Sequence, residues 1–291
     1  MDLRQAQRQL TTDLTPVYGN REAALIADWV MEHLTGHRKI DRLTKPAEPL
    51  PDPILRQYYI YRSELLAHRP VQYVLHETWF AGLRFYVDEN VLIPRPETEE
   101  LVQWAVETIT PSGAHPSPPT PAGALLDVGT GSGCIPIAIA RKLPTLPIHA
   151  CDISTGALHI ASRNADYLGA HITFHQLDFL DRQAWVSLPG VQWLISNPPY
   201  IPLNERSTMA PHVADAEPAL ALFVPDTDPL IFYQAIAEYS SRYLQPGGAV
   251  FVEIHQGMAV PVAELFRTRG ASDVVIRKDL SGKDRMIKGK W

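Results

Sequence analysis

Cysteine is scarce: Cys134 and Cys151 are the two in 291 residues. Two thiols cannot staple a scaffold, and their scarcity fits a reducing compartment, so a cytoplasmic protein is expected. No apolar run approaches the ~18 residues that cross a bilayer, which excludes a membrane span. The first turns of the chain mix Asp2, Asp13 and Glu22 with Arg4 and Arg8 and lack an apolar stretch, so no secretory signal is expected. Basic excess is lacking too. A net charge of −6 argues against nucleic acid as a direct partner. The 11 histidines show no spacing with cysteine or carboxylate that would hold a metal. There is no internal repeat.

What the chain does have is organisation. Residues 1 to about 70 read as helical. Asn20 is a candidate N-cap for a helix carrying Ile26, Trp29, Val30 and Leu34 and stopped by Gly36. Ile54, Tyr58, Tyr61 and Leu65 share one face of another helix. No titratable cluster lies in this region, which suits docking rather than chemistry. Thr78–Phe80 and Leu83–Val87 flank Ala81-Gly82, a hairpin signal. Pro96, followed by Glu97, Glu99 and Glu100, is good chemistry for a helix start, and that reading suffices for Arg95 and Glu97. The proline-rich stretch 110–123 reads as an exposed loop.

From Ala124 strands and helices alternate. Strands are expected at Ala124–Val128, Leu146–Cys151, Ile172–Gln176, Trp193–Ser196, Ala249–Ile254, Asp273–Arg277 and Arg285–Lys288, with helices at 133–142, 154–168, 228–244 and 258–269. The fold class is therefore α/β: a Rossmann-like, parallel-rich sheet with helices on both faces, binding ligands at the carboxyl ends of its strands. The expected division is a small N-terminal helical bundle (1–72), a β-hairpin connector (73–92) and the sheet domain (93–291).

Four strand ends carry chemistry. Leu125–Val128 runs into Gly129-Thr130-Gly131-Ser132-Gly133, a turn whose glycines let a ligand approach the main chain. Asp127 just before it would repel a pyrophosphate and welcome an ammonium group. Asp152 ends the next strand, where a carboxylate can hold two ribose hydroxyls. Asp178 with Phe179 follows the third and could bond an exocyclic amine and cover a flat ring. The fourth stops dead at Asn197-Pro198-Pro199-Tyr200. Asn197 can donate and accept hydrogen bonds, and the prolines remove N–H donors, leaving carbonyl oxygens to accept from something else. Each residue alone reads as a cap or turn; four in succession read as a site.

The glycine turn with Asn197–Tyr200 resembles the class I S-adenosylmethionine-dependent methyltransferases that act on amide or amino nitrogens. Pro70-Val71-Gln72-Tyr73, Leu92–Glu99, Glu217–Leu222 and Asp279–Arg285 make the chain closely similar to the protein glutamine methyltransferases that modify peptide chain release factors. The resemblance implies a seven-stranded methyltransferase sheet and S-adenosylmethionine as methyl donor, with S-adenosylhomocysteine as product. Its substrate would be the Gly-Gly-Gln glutamine of class 1 release factors, in translation termination. It places Asn197, Pro198 and Tyr200 as catalytic, with Pro199 beside them against the substrate. Asp127, Gly129, Thr130, Gly131, Ser132, Gly133, Asp152, Asp178, Phe179 and Asn197 would hold the cofactor. Phe179 departs from the tryptophan of some relatives, and the insertion at 110–123 has no counterpart in the pattern. A glutamine on a ribosomal protein is an alternative substrate. Adenine in DNA shares the Asn-Pro-Pro-Tyr motif but would need a basic groove that the acidic balance does not suggest.

Overall fold

A computed structural model describes residues 1–44, 47–110, 123–209 and 211–291. The expected loop at 110–123 lies, apart from its two end residues, outside them. The chain divides into two compact units: Met1–Glu77 with Ala210–Ala216, and Thr78–Met209 with Glu217–Trp291.

The first unit is helical: α1 (Leu3–Thr35), α2 (Lys39–Thr44), α3 (Asp52–Leu66) and α4 (Val71–Leu75). Helix α1 opens on a capping box, in which the Asp2 side chain accepts the Gln5 N–H at 2.7 Å and the Gln5 side chain accepts the Asp2 N–H at 3.1 Å. Pro16 removes one helical donor, and Gly19 leaves the helical region (φ 75°, ψ 167°), so the helix kinks there. The helix expected from Asn20 therefore does begin here, with non-helical Gly19 rather than Asn20 at its start, while Asp2 caps the turns before the kink. Gly36 closes the helix in the left-handed conformation, as expected. The unit has its own core, with Leu10, Leu14, Val30, Met31, Tyr58 and Leu65 buried. Trp29, expected among them, is 49% exposed.

The second unit begins with the hairpin β1 (Thr78–Phe80) and β2 (Leu83–Phe85), which turns on Ala81 and Gly82, both at positive φ. Helix α5 (Pro96–Ile109) follows, then β3 (Leu125–Val128), α6 (Cys134–Lys142), β4 (Ile148–Asp152), α7 (Thr155–Leu168), β5 (Thr173–Gln176) and β6 (Val191–Ser196). After β7 (Ile201–Pro202) come α8 (Pro211–Ala214), which belongs to the first unit, α9 (Ala219–Leu222) and β8 (Phe223–Val224). The chain ends with α10 (Ile231–Tyr243), β9 (Leu244–Glu253), α11 (Ala259–Thr268), β10 (Asp273–Lys278) and β11 (Asp284–Lys290).

Seven strands form one sheet in the order β10-β11-β9-β6-β3-β4-β5. The five from β9 to β5 are parallel, and β11 and β10 add an antiparallel edge. Successive strand residues point to opposite faces. Leu126, Val128, Leu194, Val250 and Val252 meet α10 and α11 on one side, whereas Leu125, Ile195 and Phe251 meet α5 and α6 on the other. This gives the expected helix–sheet–helix layering. Strand β9 starts at Leu244, five residues before the apolar run that announced it, and the pair β7–β8 was not foreseen. The chain winds outward from β3 through β4 to β5 and then returns to β6 on the far side of β3. That reversal opens a crevice at the carboxyl ends of β3 and β6, where α/β sheets bind ligands.

Candidate active site

The glycine turn occupies the β3 side of this crevice. Gly129, Gly131 and Gly133 all have positive φ (74°, 54° and 77°), which side chains with a Cβ rarely adopt. Gly133 is doubly constrained, because a Cβ there would sit 3.1 Å from Ala161 Cβ and 3.1 Å from Ile137 Cδ1. The turn is fastened from two sides. Gly131 N–H donates to Asp152 at 2.9 Å, and Asn164 on α7 donates to the Ser132 carbonyl at 2.9 Å while pairing with the backbone of Tyr86.

Inside the turn, polar groups are unfinished. Asp127 is completely buried, and neither of its carboxyl oxygens has a hydrogen-bond partner among the described residues; the hydroxyls of Thr130 and Ser132 share that condition. Burial pushes the Asp127 carboxyl up to about 7, and the Asp152 charge adds to this. A buried carboxylate next to orphaned hydroxyls is complementary to an amino-acid head group, an ammonium with its carboxylate. Cys134 and Cys151 pack nearby as small apolar groups; burial pushes the Cys134 thiol up to about 12, which makes it unreactive.

Asp152 accepts one backbone N–H on each oxygen, from Gly131 and from Ser154, both at 2.9 Å. It shapes the turn as well as facing the crevice, and one acceptor site remains on each oxygen for a ligand hydroxyl. Asp178 is exposed at the end of β5, its side chain accepting the Leu180 N–H at 2.8 Å. Phe179, expected to cover a flat ring, is first a core residue. It is 5% exposed, with Trp185 and Tyr239 at centroid distances of 5.5 and 5.4 Å.

Across the crevice, Ser196 Oγ donates to the Val128 carbonyl at 2.7 Å and ties the end of β6 to the end of β3. Asn197, Pro198, Pro199 and Tyr200 follow directly, with Pro198 buried and every peptide bond trans among the described residues. Asn197 Nδ2 donates to Thr98 Oγ1 at 3.0 Å. Thr98 Oγ1 in turn donates to Glu253 Oε2 at 2.6 Å, and Tyr200 OH donates to Glu253 Oε1 at 3.1 Å. Burial pushes the Glu253 carboxyl above its ordinary range, against the bonds from Thr98 and Tyr200 and the positive charge of Arg285. The same burial raises the Tyr200 hydroxyl, so it is a fixed donor.

Sequence reasoning missed Thr98 and Glu253. The available signal was Glu253 itself, an acid closing the apolar run Ala249–Val252 at one more strand end. The motifs that carried the resemblance find their purpose here. Arg95 pairs with buried Glu217, whose other oxygen accepts the Ile93 N–H at 3.1 Å. Asp279 accepts from Lys283 N–H at 2.9 Å and Arg285 Nε at 3.2 Å. The Glu217 bonds hold the segment that leads into α5, and hence Thr98, whereas those of Asp279 close the loop before β11. A cavity of about 580 Å³ between α6, α7, β4 and β5 contains none of these residues. Among the described residues, no three metal-binding side chains are grouped to hold an ion and no helix is long and apolar enough to cross a membrane.

Known proteins resemble the chain in the same two parts. Residues 3–75 match the PrmC N-terminal domain, and residues 115–221 match the Methyltransferase small domain. The hMettl16 catalytic domain superposes with a TM-score of 0.54 at 15% identity, covering 82% of this chain and 81% of that one, a likeness of fold. The release factor glutamine methyltransferase of Chlorobaculum tepidum is 38% identical over 267 residues, 91% of this chain and 89% of its own. That of Flavobacterium psychrophilum is 35% identical over 289 residues, 99% of both chains. Shared from end to end with such relatives, the chain belongs to the release factor glutamine methyltransferase family.

Proposed function

We propose that this chain transfers a methyl group from S-adenosylmethionine to the side-chain amide nitrogen of the Gly-Gly-Gln glutamine of class 1 release factors, in the cytoplasm and in support of translation termination. The observation that carries this reading is the tethered amide of Asn197. Its NH₂ is committed to Thr98, so its Oδ1 is the acceptor left for a substrate N–H.

When bound, S-adenosylmethionine supplies an electrophilic methyl on a sulfonium. Asp127 would hold its ammonium, the Gly129–Gly133 turn with Thr130 and Ser132 its carboxylate, Asp152 its ribose hydroxyls, and Asp178 with Phe179 its base. An amide nitrogen is a weak nucleophile because its lone pair is delocalised, so the protein must aim it. Asn197 Oδ1 and the Pro198 carbonyl would accept its two hydrogens, and Pro199 and Tyr200 would wall the side chain. Pro199 offers no N–H to compete for that carbonyl. Aim of this kind is worth several kcal/mol of the barrier. The proton can leave after transfer, so no general base is required.

The division of labour follows the sequence boundaries: residues 1–72 dock the release factor, 73–92 connect, and 93–291 bind the cofactor and carry out transfer. Neither a nucleic acid nor a membrane has a part in it. Mass spectrometry of a release factor after incubation with the enzyme tests the reading. One added methyl on the peptide carrying Gly-Gly-Gln is expected, and methylation at any other residue instead would refute it.

A further inference from the structure

Glu253 closes β9 with its side chain 1% exposed. A buried carboxylate is costly unless donors fill it, and the two that do so here are the hydroxyls of Thr98 and Tyr200. Both adjoin Asn197: Thr98 accepts its Nδ2–H, and Tyr200 lies three residues along the same turn. Both bonds run from hydroxyl to carboxyl oxygen, so each hydroxyl spends its single hydrogen on Glu253. With that hydrogen spent, Thr98 Oγ1 can only accept, and Asn197 must offer it the NH₂. Without such direction an asparagine amide can turn half a revolution and exchange its oxygen and nitrogen at little steric cost. The turned amide would present donors to the hydrogens of a substrate amide and repel it.

We infer that Glu253 and Thr98 are positioning residues: they set the direction of a hydrogen-bond chain that holds Asn197 with its acceptor oxygen toward the substrate. Neither touches the reacting atoms. The inference rests on the function proposed above and adds to it what makes Asn197 selective for an N–H donor.

Two measurements on the full chain test it. The first is kinetics with a release factor. Thr98→Val keeps the shape and removes the hydroxyl, so kcat should fall about 100-fold, the scale of a misplaced reacting group. KM for the release factor and affinity for S-adenosylmethionine should stay within about threefold of the parent. Thr98→Ser, which restores the hydroxyl, should recover most of the turnover, and Glu253→Gln should fall between the two. Unchanged kcat in Thr98→Val, or equal losses in the Val and Ser variants, would overturn the inference. The second needs no substrate. With ¹⁵N-asparagine labelling, the chain's five asparagines give few side-chain NH₂ signals, and that of Asn197 is the pair lost in Asn197→Ala. This pair should shift in Thr98→Val and not in Thr98→Ser; an unmoved pair in Thr98→Val overturns the tether itself. If the pair shifts while the parent enzyme leaves release factor unmethylated, the positioning chain stands and the proposed function has failed.

Discussion

Asp127 shows how a single residue can be costly to the fold and useful to the site. Its folded carboxyl titrates at about 7, well above an ordinary carboxylate, so the folded state holds the proton more tightly than the unfolded chain does. The resulting stabilisation is complete below the ordinary value near 4 and is lost as pH rises through about 7. Unliganded protein should therefore lose melting temperature between about pH 4 and 7 and level off above, and Asp127→Asn should remove that part of the pH dependence. Affinity for S-adenosylmethionine should behave in the opposite sense. An ammonium needs the ionised carboxylate, so affinity should rise about tenfold per unit up to roughly pH 7 and then level off. In Asp127→Asn it should be weak and flat. Titration calorimetry across this range checks both, and a pH-independent affinity in the parent would remove Asp127 from the cofactor site. Asp127 and Asn197 were legible because each stands at an abrupt strand end. Thr98 was hidden, since a threonine in the first turn of a helix reads as helix chemistry until Glu253 is seen 155 positions away.

At the scale of elements, the segment Ile93–Thr98 is held by one asymmetric ion pair. The Glu217 side chain is 1% exposed and that of Arg95 32%. Removing Arg95 strands a buried carboxylate, whereas removing Glu217 leaves a guanidinium that water can reach. Arg95→Ala should therefore cost about 3 kcal/mol and Glu217→Ala distinctly less, about 1–2 kcal/mol. Equal losses in chemical denaturation would show that the pair does not anchor α5. The sheet and its helices were readable because their periodicities switch cleanly from helical to strand at glycine and proline. The errors have local causes. Asn20 looked like a cap because Gly19 breaks α1 from within. The first residues of β9 are Leu244-Gln245-Pro246-Gly247-Gly248, turn chemistry by composition that pairing with β6 draws into the sheet.

For the whole molecule, two units imply two tasks. The helical unit buries its own core yet leaves Leu25 and Trp29, one turn apart on α1, about half exposed. If this unit recognises the release factor, replacing both with alanine should raise KM for that protein by about tenfold, as loss of an aromatic anchor does. Affinity for S-adenosylmethionine and the melting temperature should hold. A fall in cofactor affinity would instead assign these residues to the chemistry of the second unit.

The central claim is transfer to one glutamine amide, aimed by Asn197. Its most direct test is transfer of labelled methyl from S-adenosylmethionine to a release factor and to the same factor with its Gly-Gly-Gln glutamine replaced. Label should enter the first and not the second, and Asn197→Ala should abolish it while largely retaining cofactor binding. Equal labelling of both factors would contradict the account.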